Sequence, residues 1–177
     1  AGPIVGARGG GAAMVIAGRV ADGSLTVGPA GCEVGWDFDR LDWWAAGTVA
    51  GHLIECGAQV TGGLLTDWKS VPDLGEVGYP VVEIAEDGSA EITKPDGSGG
   101  TVNRRTVAEQ LLYEVFDPAN YLTPDVVADF TSVKLNATAQ DRVRITGSRG
   151  QPAPPYYTVP VAYRHGFTSR RPPVVSG

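Results

Sequence analysis

The sequence is poor in sulfur, with two cysteines, Cys32 and Cys56, and one methionine in 177 residues. Two cysteines are too few for a disulfide framework in a chain of this length, and no CxxC pair is present, so reduced thiols are expected. Positive charge is scarce as well. Lysine and arginine total 14 against 20 acidic residues, a formal charge of −6, which argues against the basic stripe on which general nucleic-acid binding rests. The only lysines are Lys69, Lys94 and Lys134, so no polybasic patch addresses a membrane surface. No apolar run approaches the roughly 20 residues that cross a bilayer, and no basic segment leads into an apolar stretch at the start. The expectation is a cytoplasmic protein with neither nucleic acid nor membrane as partner.

Hydrophobic residues make up 42% and charged residues 19%, which is too apolar for a disordered chain and sufficient for a packed core. The length fits one domain. Glycine supplies 25 positions and proline 13; they follow no collagen period, so they predict a loop-rich globular fold. No internal repeat is visible.

Residues 1–11, AGPIVGARGGG, are small and without periodicity, and read as a loose terminal segment; such a start suggests a fragment. Residues 12–165 are expected to form one α/β domain, and residues 166–177 a tail. The unbroken apolar run Ala12–Ala17 suits a strand buried on both faces of a parallel sheet, which would place Asp22 in the loop at its carboxyl end. Leu25–Gly35 reads as a short helix interrupted at Pro29. Asp39–Gln59 is the best helical segment, with Asp39 or Asp42 as cap. Trp36, Trp43, Trp44 and Trp68 are expected to pack around it. Extended runs at Pro80–Ile84 and Ala90–Thr93 flank Asp87-Gly88, a hairpin signature because glycine accepts positive φ. A helix follows over Val102–Val115, stopped by Asp117-Pro118. Phe130–Leu135, Asp141–Thr146 and Tyr156–Tyr163 read as strands. The fold class expected is α/β, with a mostly parallel sheet and flanking helices early and a β-rich second part.

Three clusters could carry chemistry. In the stretch from Thr93 to Thr101, Lys94 precedes a glycine-rich loop, Gly97, Ser98, Gly99, Gly100 and Thr101, that opens onto a helix; free N–H groups and a helix start favour an anion there. The alternative is a hairpin exit in which Thr101 or Asn103 caps the helix. His52, Glu55, Cys56 and Gln59 recur at helical spacing. A thiol beside an imidazole can become a nucleophile, and His52, Glu55 and Cys56 could instead hold a metal; the same spacing also fits a polar stripe with a small core cysteine. Asp22 stands where open sheets bind ligands and could act with Arg19, or simply satisfy turn amides. The pairs Asp37/Asp39 and Asp125/Asp129 read as caps and solvated faces. No Walker A, GxGxxG or GxSxG motif is present, and no cofactor is indicated.

Several phrases taken together resemble the acyclic terpene utilisation family AtuA. They are Val15-Ile16-Ala17-Gly18-Arg19-Val20-Ala21-Asp22-Gly23-Ser24-Leu25, the run from Ala50 to Gly63 (AGHLIECGAQVTGG), Val71-Pro72-Asp73-Leu74, Ile92-Thr93-Lys94-Pro95, Glu109-Gln110-Leu111-Leu112-Tyr113-Glu114 and Tyr121-Leu122-Thr123-Pro124-Asp125-Val126. The likeness runs from about Met14 to Tyr163, whereas the first eleven residues depart from the pattern. It implies a larger α/β protein of which this is a central portion, placed in the degradation of acyclic terpenes and branched acyl-coenzyme A esters beside biotin-dependent carboxylases and hydratases. It implies no settled reaction.

The resulting expectation is a catabolic protein binding an acyl-coenzyme A or branched carboxylic intermediate. Asp22, His52, Glu55 and Cys56 would border the reacting carbon, while Arg19, Thr61, Gly62, Gly63, Lys94 and Gly97–Thr101 would hold the ligand. The rival expectations are a non-catalytic subunit that docks a carboxylase or hydratase, and an inactive truncated chain.

Overall fold

The computed structural model describes residues 1–157, 159 and 161–168. The elements run α1 (Gly2–Gly9), α2 (Ser24–Val34), α3 (Leu41–Ile54), β1 (Val81–Ile84), β2 (Ala90–Thr93), α4 (Arg104–Leu112), β3 (Tyr121–Leu122), β4 (Val126–Asp129), β5 (Lys134–Ala139), β6 (Arg142–Thr146) and β7 (Arg149–Pro152). Single 3-10 turns at Gly57–Gln59, Trp68–Ser70 and Leu74–Glu76 punctuate the segment between α3 and β1.

The strands form two sheets, one in the order β1-β2-β6-β5 and one in the order β3-β4-β7. Every ladder is antiparallel; the one parallel pairing among the described residues is an isolated bridge between Val77 and Gly99. This corrects the expectation of a mostly parallel sheet. Parallel strands need a crossover, usually a helix, between them, but α1, α2 and α3 all precede the first strand. Ala12–Ala17 is accordingly no strand: it is irregular, with Met14 78% and Ile16 90% exposed. Asp22 follows no strand and instead leads into α2.

Helix α3 is the hub. It packs against α2, α4 and strands of both sheets, and its buried residues include Trp44, Ala45, Val49, His52 and Leu53. A helix apolar on nearly every side belongs in the interior. Around it lie Val60, Ile92, Val102, Val107, Val126, Val143 and Ile145, each aliphatic side chain contributing roughly 1.5–3 kcal/mol on full burial. In β2 and β6, Ala90, Ile92, Val143 and Ile145 are buried on alternate positions, the period-two pattern of a half-buried sheet.

Local signals place several elements well. The hairpin of β1 and β2 turns at Gly88, whose φ is +79°, and Ser89 N donates to Asp87 Oδ1 at 2.9 Å. Asn103 caps α4 through a reciprocal pair: its Oδ1 accepts from Arg105 N and Thr106 N, and Thr106 Oγ1 accepts from Asn103 N. That helix ends at Leu112, well before Asp117. Neither Asp39 nor Asp42 caps α3, which starts after Arg40 without a side-chain cap; Asp42 Oδ1 instead accepts from Gly150 N at 2.8 Å. Helix α2 continues through Pro29. Residues 2–9 are helical rather than loose, with Ile4 buried. The expected strand at Phe130–Leu135 is divided between the loop after β4 and the start of β5, and β7 was not anticipated. No strand forms at the described residues between Tyr156 and Tyr163; Thr158 and Pro160, like the tail from Ser169 onward, lie outside the described residues.

Candidate functional site

The site begins with two glycines. A Cβ on Gly51 would lie 2.7 Å from both the Cα and the carbonyl oxygen of Gly23, so only glycine at position 51 lets the start of α2 sit against α3. Asp22 precedes Gly23 and His52 follows Gly51. The helix contact therefore carries the aspartate to the histidine.

Asp22, His52, Glu55, Glu114, Phe116 and Tyr121 line one hollow of about 270 Å³. Three carboxylates face it, and no lysine or arginine lines it. Glu114 has φ +56°, a left-handed backbone that costs a non-glycine residue on the order of 1 kcal/mol. Burial, reinforced by Asp22, Glu55 and Glu114, pushes the Tyr121 phenol up to about 12, so it stays protonated at neutral pH.

His52 is 2% exposed and its ring packs near Tyr121 and Phe130, with centroids 5.7 and 5.4 Å away. Its Nε2 lies 2.9 Å from the backbone oxygen of Gln110. A carbonyl only accepts, so Nε2 carries the hydrogen and Nδ1 is the bare nitrogen. Nδ1 finds no partner among the described residues. Burial lowers the imidazole pKa; the contact with Gln110 and the charges of Glu55 and Asp22 oppose that shift.

On the other side of Asp22 a larger groove of about 830 Å³ runs past Arg19, Val20, Leu122, Pro124, Tyr156 and Tyr157. Asp22 lines both spaces. The expected pairing of Arg19 with Asp22 thus falls on one groove, and Asp22, His52 and Glu55 fall on one hollow.

Cys56 does not line the hollow. Its thiol donates to Glu55 Oε1 at 3.1 Å, and burial together with that carboxylate pushes it up to about 11. A thiol so held is protonated at neutral pH and a poor nucleophile. No group of three or more His, Cys, Asp or Glu among the described residues is placed to hold a metal ion, so the set His52, Glu55 and Cys56 does not form such a centre.

The glycine-rich loops serve each other. Thr101 N donates to Thr61 O at 2.8 Å and Gly100 N to Pro72 O at 2.8 Å. A Cβ on Gly100 would lie 2.6 Å from Thr61 O, one on Gly99 2.0 Å from Asp73 O, and one on Gly63 2.9 Å from Ala58 O. Gly62, at φ +104°, would collide with Val71. Thr61, Gly62, Gly63, Gly99, Gly100 and Thr101 are brought together as an interlock of backbone, away from the hollow.

Lys94, Gly97 and Ser98 border a separate polar hollow, where several of the loop's donors are engaged. Lys94 Nζ donates to Ser98 O at 2.7 Å and lies 3.6 Å from Asp141 Oδ2. Asp141 Oδ1 accepts from Val102 N at 2.8 Å and Thr101 Oγ1 at 3.2 Å. The chain's own Asp141 thus engages Lys94, Thr101 and Val102 beside this hollow.

Gln110, Glu114, Phe116, Tyr121 and Asp141 escaped the reading of local motifs. Gln110, Glu114 and Tyr121 do lie inside the phrases that carry the family resemblance, which was the available signal. Among the described residues no helix is long and apolar enough to cross a membrane. Neither a curated protein nor a solved structure matches the chain. The family model described as "Acyclic terpene utilisation family protein AtuA" matches residues 1–177, the whole of this chain, and the protein therefore belongs to the acyclic terpene utilisation family AtuA.

Proposed function

We propose that the protein serves acyclic terpene utilisation by binding a branched acyl intermediate, carried as a coenzyme A ester or a free acid, in the groove that passes Asp22. The observation that supports this is the position of Asp22 on both an apolar groove and an acidic hollow. Val20, Leu122, Pro124, Tyr156 and Tyr157 offer apolar surface to a branched chain, while Arg19 offers a cation to an anionic group. The functional end of the ligand would then lie at Asp22, His52 and Glu55. Calorimetry with branched acyl-coenzyme A esters tests the reading. Binding that weakens in Arg19→Ala and Leu122→Asp supports it, and a folded chain that binds none of the esters overturns it.

A second reading, a subunit that docks a carboxylase or hydratase, draws on exposed apolar side chains. Ile16, Leu64, Trp68, Leu112 and Phe116 are all more than half exposed, apolar surface that a partner could cover. Co-purification with the carboxylase that survives His52→Ala but fails after Trp68→Ala or Phe116→Ala would favour it.

A further inference from the structure

We propose that the start of α2 is the subsite that takes the carbonyl oxygen of an acyl ester, with the Ser24 hydroxyl as its hydrogen-bond donor. The inference rests on the binding reading above and goes further, because it names the donor and selects the ester over the free acid.

A small pocket of about 140 Å³ adjoins the groove. Asp22, Ser24 and Leu122 line both spaces, so the pocket forms the groove's inner end. Ser24 is 5% exposed, and its hydroxyl has no hydrogen-bond partner among the described residues. The unpartnered side-chain atoms sealed in the interior belong to Trp36, His52 and Gln110; the Ser24 hydroxyl is not one of them and opens into the spaces that Ser24 lines. A polar group so deeply set gains from a partner that enters the pocket. The neighbouring threonine hydroxyls are already spent: Thr48 Oγ1 donates to Trp44 O at 2.9 Å and Thr123 Oγ1 to Val126 O at 2.7 Å.

The backbone offers a donor of the same kind. Helix α2 starts at Ser24 without a side-chain cap. Ser24 N donates to Ala21 O at 2.8 Å, and Thr26 N and Val27 N donate to Gly23 O at 3.0 and 2.9 Å, which leaves Leu25 N without an acceptor among the described residues. The free amide and the positive end of the helix favour an acceptor oxygen at this end.

Charge decides which oxygen. Asp22 lines the pocket and forms no ion pair among the described residues. Asp125 lines it too and is taken by the Ala1 amine. No lysine or arginine lines the pocket. A carboxylate placed there would meet the like charge of Asp22, whereas a neutral carbonyl accepts the same hydrogen bonds without that repulsion. Arg19 lines the outer groove and not the pocket, which suits it to the phosphates of the ester's carrier rather than to the acyl head. Val27, 2% exposed, gives the pocket an apolar wall for the carbon beside the carbonyl.

The test is calorimetry of the full chain with isovaleryl-coenzyme A, with the thioether S-(3-methylbutyl)-coenzyme A, which lacks only the carbonyl oxygen, and with free isovalerate. The ester should bind about 10-fold more tightly than the thioether, as one hydrogen bond allows. Ser24→Ala should remove that difference by weakening the ester alone, and Asp22→Asn should raise the affinity for isovalerate more than that for the ester. Infrared spectra of the ester with a ¹³C carbonyl read the bond directly in the unaltered chain: its stretch should fall in wavenumber on binding and recover in Ser24→Ala. Equal affinities for ester and thioether, a loss in Ser24→Ala shared by both, or an unmoved stretch overturns the donor assignment. A gain in Asp22→Asn no larger for isovalerate overturns the selection of the ester. Those results leave the binding reading standing, whereas no binding of any of the three ligands removes both.

Discussion

His52 and Gln110 hold each other twice: His52 Nε2 donates to the backbone oxygen of Gln110 at 2.9 Å, and Gln110 Nε2 donates to the backbone oxygen of His52 at 2.9 Å. The two bonds clasp α3 to α4 in the interior, where both side chains are at most 2% exposed. One acceptor on each side chain, His52 Nδ1 and Gln110 Oε1, is left without a partner among the described residues.

Removing half of that clasp should be costly. Gln110→Ala leaves the backbone oxygen of His52 buried without its donor, and a stability loss of about 1–3 kcal/mol is expected. Urea unfolding monitored by tryptophan fluorescence measures it; an unchanged midpoint would show that the clasp contributes nothing.

The same histidine sets a pH dependence. Its folded pKa lies below the ordinary value of about 6.5, so between the folded value and about 6.5 the unfolded chain binds more protons. Stability should therefore fall as pH drops below about 6.5 and be flat through this group above it. Denaturation midpoints compared between the wild type and His52→Gln across that window check the sign: the wild type should show the steeper fall.

Cys56 should be a sluggish thiol. Pushed up to about 11, it carries on the order of 100-fold less thiolate at pH 8 than an unperturbed cysteine near 8.5. Alkylation by iodoacetamide in a Cys32→Ala background should be slowed by about that factor. Glu55→Gln should partly restore the rate, and rapid alkylation of the unaltered Cys56 would contradict the assignment.

Gly51→Ala separates packing from propensity. Alanine gains about 1 kcal/mol as a helix former over glycine, yet its Cβ would meet the Gly23 backbone at 2.7 Å, and forcing helices apart costs about 1–3 kcal/mol. Because backbone rather than a flexible side chain must move, net destabilisation is expected in thermal melts. Ligand affinity should fall as well, because Asp22 moves with Gly23.

Asp141 joins the β5–β6 turn to the start of α4 and to Lys94. Asp141→Ala should cost about 1.5–3 kcal/mol, the worth of hydrogen bonds to a charged group. Its φ of +52° is tolerated by asparagine, so Asp141→Asn should keep the turn and one acceptor and lose less. Equal losses in the two variants would assign the whole effect to the missing carboxylate charge and none to the turn.

What the sequence determined by itself is what neighbouring residues enforce. Asp87-Gly88 specifies the hairpin because glycine reaches positive φ, and Asn103 with Thr106 specifies the start of α4 because their side chains meet the first free amides. The apolar length of α3 specifies a buried helix, and Val143 and Ile145 give β6 its inward face. The run Ala12–Ala17 shows the limit of such reasoning: its composition states a demand for burial on both sides, but whether a sheet exists to meet it depends on chain connectivity far away. Tertiary structure alone decided that Asp22 reaches His52, since that follows from Gly23 against Gly51 across two helices. It also decided that Asp141 accepts from Thr101, 40 residues before it in sequence, and that Gln110 settles the histidine tautomer 58 residues away. Contacts at such separations leave no periodicity or spacing in the sequence, because their geometry is fixed only once the helices and sheets have packed.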